Sequence, residues 1–245
     1  MTATAGLDRG GARPGTRETS TLLGSILPED VESEERFGAT RGGVLFPEEM
    51  EVVAHAVERR RHEYATVRDC ARACLGRLGF ARVALLPGVG GAPVWPAGVR
   101  GSMTHCTGYA AAAVGPAQRI SAIGIDAEPD APLPDGVLSL VATPDERASL
   151  AVSRMLPGDP HWDRLLFSAK EAVYKAWFPL VGEWLDPQET EIVFDEANAS
   201  FTATLSHDGL VVDGSSVSRL HGRWAHARGI LLTAVVREQP HRSQS

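Results

Sequence analysis

Ile123-Gly124-Ile125-Asp126-Ala127-Glu128-Pro129 ends an apolar run with two acidic residues one position apart. Successive side chains of a strand alternate faces, so Asp126 and Glu128 point one way and Ile123, Ile125 and Ala127 the other. The segment reads as a strand that buries one face and presents two carboxylates on the opposite one. Carboxylates held a few ångströms apart repel, and a cation between them relieves the repulsion. Mg²⁺ suits such a place, because it takes hard oxygen ligands, usually one or two carboxylates with phosphates and water. The plain alternative is a solvated acidic turn at a strand end, stopped by Pro129.

A second segment, Phe167-Ser168-Ala169-Lys170-Glu171-Ala172-Val173-Tyr174-Lys175-Ala176-Trp177, weighs against that alternative. On a helical wheel Leu166, Ala169, Ala172, Val173, Ala176 and Trp177 share one broad arc, which Phe167, Tyr174 and Phe178 extend. Such a helix is largely buried. Its narrow remaining stripe carries Ser168, Glu171 and Lys175, which points to a cleft; the bland reading of Glu171 and Lys175 is an i,i+4 ion pair. Lys170 falls inside the apolar arc, so its stem is expected to run along that surface and deliver the ammonium elsewhere. A carboxylate and two lysines beside an acidic strand end suggest phosphate and metal.

The order and spacing of three motifs support a family reading. Gly101-Ser102-Met103-Thr104-His105-Cys106 with Gly108-Tyr109, then Gly124 to Pro129, then Phe167 to Glu171 with Tyr174-Lys175-Ala176-Trp177, resemble the motifs of 4'-phosphopantetheinyl transferases. The closer likeness is to the Sfp-type enzymes of actinobacteria that modify polyketide and nonribosomal-peptide carrier proteins. It extends from about Phe46 to about Trp184. Upstream, Arg59 to Arg68 resembles the family's arginine-bearing helix, and Trp95-Pro96 precedes the first motif.

The resemblance implies transfer of 4'-phosphopantetheine from coenzyme A to a serine of an apo acyl or peptidyl carrier protein, with adenosine 3',5'-bisphosphate as the other product. It implies Asp126, Glu128 and Glu171 as the acidic set for Mg²⁺, with Mn²⁺ as a possible substitute. Glu171 is either a metal ligand, the base that takes the serine proton, or both; these roles compete, since a carboxylate on a metal is a poor base. Lys175 stabilises or protonates the leaving phosphate, and Lys170 has a weaker claim to the same work. His105 matches the family's contact to coenzyme A phosphates, with Thr104 beside it. Arg60 and Arg68 match the arginines of the 3'-phosphate and adenine side, where a guanidinium fork suits phosphate. Eight residues apart on one helix, they would lie about 80° apart, so a bend near Ala65-Thr66 is expected. The loop Leu86 to Gly91 lacks the basic residue that related enzymes often carry there. The alternatives are another metal-dependent phosphate-ester enzyme or a non-catalytic coenzyme A-binding protein.

The rest of the chain agrees with a soluble enzyme. Its 245 residues, 43% hydrophobic and 22% charged, allow a substantial core. A formal charge of −7 argues against general nucleic-acid binding, which wants a basic field. Cys70, Cys74 and Cys106 are too few for a disulfide framework. Cys70 and Cys74, four apart on a helix, suit core packing better than metal binding. Residues 1–20 lack the apolar core of a signal peptide, and no run of about 18 apolar residues spans a bilayer. The expectation is a cytoplasmic monomer without a membrane partner.

Residues 1–20 read as a flexible tail. A helix is expected from Pro47 to about Arg61 and another from Ala65 to Leu78, then a short strand over Val83–Leu86 and a Gly/Pro-rich loop over residues 87–98. Strands follow at Ser102–His105, Tyr109–Val114 and Ile120–Ala127. Thr143-Pro144-Asp145-Glu146 signals a capped helix through about Ser153, and the motif helix spans about His161 to Phe178. Four more strands are expected at Glu191–Phe194, Phe201–Leu205, Gly222–His226 and Ile230–Val236. Helices followed by strands, twice over, suggest an α+β fold of two halves. The resemblance makes it a pseudo-dimer of two similar α/β lobes, residues 21–117 and 118–245, with the active site in the cleft between them.

Overall fold

A computed structural model describes residues 21–38, 43–152, 159–206, 211–212 and 215–240. The tail expected over residues 1–20 lies outside them. After a 3₁₀ turn, Leu23–Ile26, come β1 (Glu32–Phe37), α1 (Pro47–Val52), α2 (Glu58–Arg77), β2 (Val99–Cys106), β3 (Tyr109–Pro116) and β4 (Ile120–Pro129). Next are α3 (Val137–Val141), α4 (Pro144–Val152), α5 (Trp162–Val181), β5 (Thr190–Asp195) and β6 (Ser200–Leu205). The chain then forms β7 (Val211–Val212), β8 (Ser215–Ser216), β9 (Arg219–Ala227) and β10 (Ile230–Glu238). The mixed α and β content agrees with the expected class.

Two antiparallel sheets carry the fold, ordered β1-β3-β2 and β4-β10-β9-β6-β5, with β7 and β8 as a small separate pair. Strand alternation divides the core. Ala112 and Val114 of β3 face α2, meeting Cys70, Cys74 and Leu75. Tyr109, Ala111 and Ala113 face the other way, toward Ile123, Ile125 and Ala127 of β4 and Leu23 and Ile26 of the first turn. α5 packs its apolar arc on the far face of the second sheet, through Leu166, Ala169, Val173 and Trp177.

The edges of β2 and β4 meet without a backbone ladder. Ile125 N donates to Ser102 Oγ at 3.1 Å and Ala127 N to Thr104 Oγ1 at 3.1 Å. Two hydroxyls thus satisfy buried amides that would otherwise need a neighbouring strand.

Three expectations fail. The first helix ends at Val52 rather than near Arg61, because its supposed apolar face does not pack: Met50 and Val57 are exposed and only Val53 is buried. The chain bends at Val53–Val57, and α2 then runs unbroken from Glu58 to Arg77, so no bend occurs at Ala65-Thr66. Val83–Leu86 forms no strand; the Leu85 amide is instead taken by the Glu49 carboxylate at 2.8 Å. The helix at Pro144 forms as expected, with Glu146 N donating to Thr143 Oγ1 at 3.2 Å and Thr143 N to Glu146 Oε2 at 2.7 Å. It is described to Val152, so its expected end at Ser153 lies outside the described residues.

Candidate active site

β4 and α5 touch backbone to backbone at Gly124. A Cβ built there would stand 1.9 Å from Ala172 O and 2.6 Å from Ala176 N. Glycine on the strand and two alanines on the helix therefore bring α5 closer than any side chain would permit. The stripe of α5 beside this contact is thereby set against Asp126, two residues along β4. Lys175 Nζ donates to Asp126 Oδ1 at 2.6 Å, and Thr104 Oγ1 donates to the same oxygen at 3.3 Å. Asp126 is only 4% exposed. Its Oδ2 is buried and has no hydrogen-bond partner. Ser168, the third member of the stripe, turns instead to the sheet and bonds Thr233 Oγ1 at 2.9 Å.

The N-terminus of α5 is bolted to the chain that follows β4. Asp130 Oδ1 accepts from His161 N at 3.0 Å, and Asp163 Oδ2 from Leu133 N at 2.8 Å. Each of the three nitrogens of the Arg164 guanidinium makes a hydrogen bond. Nη1 donates to Glu128 Oε2 at 2.9 Å, Nε to Ala131 O at 3.1 Å and Nη2 to Pro132 O at 2.6 Å.

The opposite wall comes from α2 and β2. Arg60 Nη1 donates to His105 Nε2 at 2.6 Å. Glu63 Oε2 lies 3.2 Å from that same nitrogen and 3.8 Å from Arg60. Burial first, and then the Arg60 charge, hold the His105 pKa below its ordinary value, so the ring is neutral near pH 7 and takes the Arg60 proton donor on its lone pair. Arg68 is 6% exposed, and two of its three guanidinium nitrogens are hydrogen-bonded within the protein. Nε donates to Leu85 O at 2.9 Å, Nη1 to Tyr64 O at 3.3 Å, and the guanidinium stacks 3.1 Å from the Tyr64 ring centroid. Glu49, fully buried, lies 3.8 Å from Arg68 and accepts from Arg72 Nη1 at 2.9 Å. Arg68 thus borders the site as part of a buried charge cluster, its pKa lowered by burial to about 10.

Lys170 is not part of this arrangement. Its ammonium donates to Pro187 O and Thr190 O at 2.8 Å each and pairs with Glu146 at 2.7 Å. The snorkelling stem expected for it leads to α4 and β5, away from Asp126, so its expected phosphate contact is corrected to a structural one.

Between the walls lies a cavity of about 550 Å³ lined by Arg60, Tyr64 and Arg68 of α2, Gly101 to His105 of β2, and Glu171, Tyr174, Lys175 and Phe178 of α5. The loop without a basic residue closes one side through Pro87 and Gly90 to Pro93. Gly90 adopts φ +62° against the Phe178 ring, where a Cβ would come within 2.5 Å of Cζ. The cavity carries Glu171 and Lys175 on one wall and Arg60, Arg68 and His105 on the other, with apolar lining from Val53, Trp95, Met103 and Phe178, which suits an anionic ligand with a long uncharged part.

The donor set fits a hard divalent cation. Burial first, and then the Asp126 charge, raise the pKa of Glu171, with Lys175 opposing. Burial and Asp126 likewise raise Glu128, with Arg164 opposing. Glu171 and Glu128 thus each feel the charge of Asp126, whose Oδ2 is buried and unpartnered. Among the described residues no group of three or more His, Cys, Asp or Glu side chains is gathered to hold a metal by itself. That is compatible with Mg²⁺ chemistry, in which phosphate and water complete the shell.

Sequence reasoning missed Arg164, Glu63 and Glu49, whose partners lie 36, 42 and 23 or 36 residues away. It assigned Tyr174 and Phe178 to the apolar arc, although both line the cavity. The only available signal was their place at the margin of that arc, beside Glu171 and Lys175.

The sequence matches the family description "4'-phosphopantetheinyl transferase N-terminal domain" over residues 48–115 and "4'-phosphopantetheinyl transferase superfamily" over residues 122–227. It is 50% identical over 222 residues to 4'-phosphopantetheinyl transferase Svp of Streptomyces mobaraensis, covering 89% of this chain and 90% of that protein. It is 42% identical over 224 residues to 4'-phosphopantetheinyl transferase PptT of Mycobacterium tuberculosis, covering 88% and 98%. It is 44% identical over 222 residues to 4'-phosphopantetheinyl transferase Npt of Nocardia iowensis, covering 87% and 99%.

Proposed function

The chain belongs to the 4'-phosphopantetheinyl transferase superfamily, and from that premise we propose that the cavity between α2, β2 and α5 is its active site. The enzyme transfers 4'-phosphopantetheine from coenzyme A to a serine hydroxyl of an apo carrier protein. The serine oxygen bonds to the β-phosphorus, and the bond from that phosphorus to the bridging oxygen breaks. Adenosine 3',5'-bisphosphate leaves with the oxygen, and the serine proton passes to a base.

Transfer of this kind depends on positioning and on neutralising charge at the phosphate oxygens. Arg60 and neutral His105 bind the 3'-phosphate side, Arg60 as the charged fork. Asp126 and Glu171 would hold Mg²⁺, or Mn²⁺ in its place, with Glu128 as the third acid of the strand end. The ion supplies charge neutralisation and orientation at the pyrophosphate when bound. Glu171, with its raised pKa, also suits the serine proton. Lys175, one turn on, pairs with Asp126 and would stabilise or protonate the leaving phosphate.

The observation that carries this reading is the Lys175–Asp126–Thr104 contact, which joins all three sequence motifs at the cavity wall. The remaining expectations stay part of the proposal. They are two similar lobes divided near residue 117, supported by a sheet with one 20-residue helix on each side of that point, and a cytoplasmic monomer. No helix among the described residues is long and apolar enough to cross a membrane. Incubation with coenzyme A, Mg²⁺ and apo acyl or peptidyl carrier proteins, followed by intact mass, tests the proposal. Addition of one phosphopantetheine is expected, and its absence across several carriers would sink the reading.

A further inference from the structure

His105 stands between two hollows. In front is the large cavity, which Arg60 lines; behind is a smaller one of about 220 Å³, which Glu63 lines. Both neighbours reach the same ring nitrogen, and they ask opposite things of it. Arg60 Nη1, at 2.6 Å, needs a lone pair on Nε2, whereas Glu63 Oε2, at 3.2 Å, needs a proton there. A neutral ring bonded to Arg60 therefore leaves the Glu63 carboxylate facing a lone pair. The other charged groups favour the neutral ring. Lys175 of α5 adds to the Arg60 charge against protonation, and Arg59 Nε, 3.3 Å from Glu63 Oε1, offsets part of the carboxylate charge. Glu171 of α5 lines the front hollow, and His62 of α2 with Cys106 and Tyr109 lines the rear one.

We infer that Glu63 is a positioning residue that makes coenzyme A binding take up a proton at His105. The inference rests on the transferase reading, in which the 3'-phosphate comes to Arg60 and His105, and deepens it at that site. A phosphate dianion is a stronger acceptor than imidazole and takes the Arg60 donor. The Nε2 lone pair then has no donor in front of it and a carboxylate behind. A proton from solvent on Nε2 turns that rear contact into a charge-assisted hydrogen bond to Glu63, and the phosphate adds further negative charge beside the ring. The imidazole that meets the phosphate neutral is thus an imidazolium in the complex. No other bond changes. Glu63, on the far side of the ring, acts on the ligand only through His105.

Calorimetric titration of the full chain with coenzyme A near pH 8, in two buffers of different ionisation enthalpy, counts the protons taken up. At that pH a phosphate monoester is almost wholly dianion, since its second pKa is about 6, so the ligand moves few protons of its own. With Mg²⁺ saturating, wild type is expected to take up at least about 0.6 proton per coenzyme A, which by linkage is a Kd that rises at least about fourfold per pH unit. Glu63→Gln is expected to take up less than about half as much. Protons moved at Glu171, Lys175 or the metal site are common to both proteins and cancel in the difference. 3'-Dephospho-coenzyme A, which lacks the phosphate, should erase that difference, and so should a His105→Asn background. Equal uptake by wild type and Glu63→Gln would overturn the inference, as would a difference that survives His105→Asn or the loss of the 3'-phosphate. A wild type that modifies carriers but takes up no proton overturns it alone. One that binds neither form of coenzyme A takes the transferase reading down with it.

Discussion

Gly124 is where a single missing methyl fixes the chemistry. With α5 carbonyls and amides 1.9 to 2.6 Å from where its Cβ would be, even alanine must push helix and strand apart. Gly124→Ala is expected to cost about 1–3 kcal/mol by overpacking and to lower kcat, because Lys175 and Glu171 retreat from Asp126. Urea melts beside turnover measurements check it; unchanged stability would mean that the backbones are not in contact. Glu171 makes an opposite bargain. Its folded-state pKa is raised, so its favourable contribution to folding is complete below the ordinary glutamate value of about 4.3 and is lost as pH rises through the raised one. Without divalent cations, Glu171→Gln is therefore expected to melt above wild type at about pH 8 and level with it near pH 4, while turnover collapses. A melting difference independent of pH would refute this. The facing of Asp126 and the Glu171–Lys175 stripe were legible because each follows from a local period. Arg164 and Glu49 were not, because their meaning lies in partners that no local pattern names.

α2 shows how one element serves two purposes. Arg60, with a side chain 52% exposed, stands at the cavity mouth, whereas Arg68 is locked over Tyr64 and beside Glu49. Arg60→Met is expected to raise KM for coenzyme A about tenfold or more, with the melting temperature nearly unmoved, since it removes a phosphate fork. Arg68→Met should instead lower stability by about 3–5 kcal/mol, since it breaks a buried charge cluster. Calorimetry and steady-state kinetics on both proteins tell these apart, and a reversal of the two profiles would exchange the roles. The helix itself was legible, but its limits were not. A bend at Ala65-Thr66 was expected only so that Arg60 and Arg68 could meet one ligand. With Arg68 committed to Leu85 and Tyr64, α2 has no reason to bend there. The strand expected at Val83–Leu86 fails for a related cause, since a carboxylate from α1 occupies the Leu85 amide.

At the scale of the molecule, the two sheets are joined by hydroxyls. Ser102→Ala leaves the Ile125 amide buried without its acceptor and is expected to cost about 1–3 kcal/mol. It does not touch Asp126, so kcat should hold within about twofold while the denaturation midpoint falls. A large loss of turnover at full stability would show that the seam has a catalytic part. The strands on either side of this seam were readable from alternation and turn residues. Their meeting was not, because serine and threonine in a strand do not announce which amides they will receive.

That seam has a further consequence. The first sheet shares no backbone ladder with the second, and the chain passes from β3 to β4 through Ala117–Arg119, whose last two residues are exposed. Severing the Gln118–Arg119 link would break no strand pairing. The 3₁₀ arm at Leu23–Ile26 would still grip the hydrophobic face of the far half. Cut there, each fragment would keep its own ladders, and the hydroxyl seam and the apolar contacts between β3 and β4 would hold the two together.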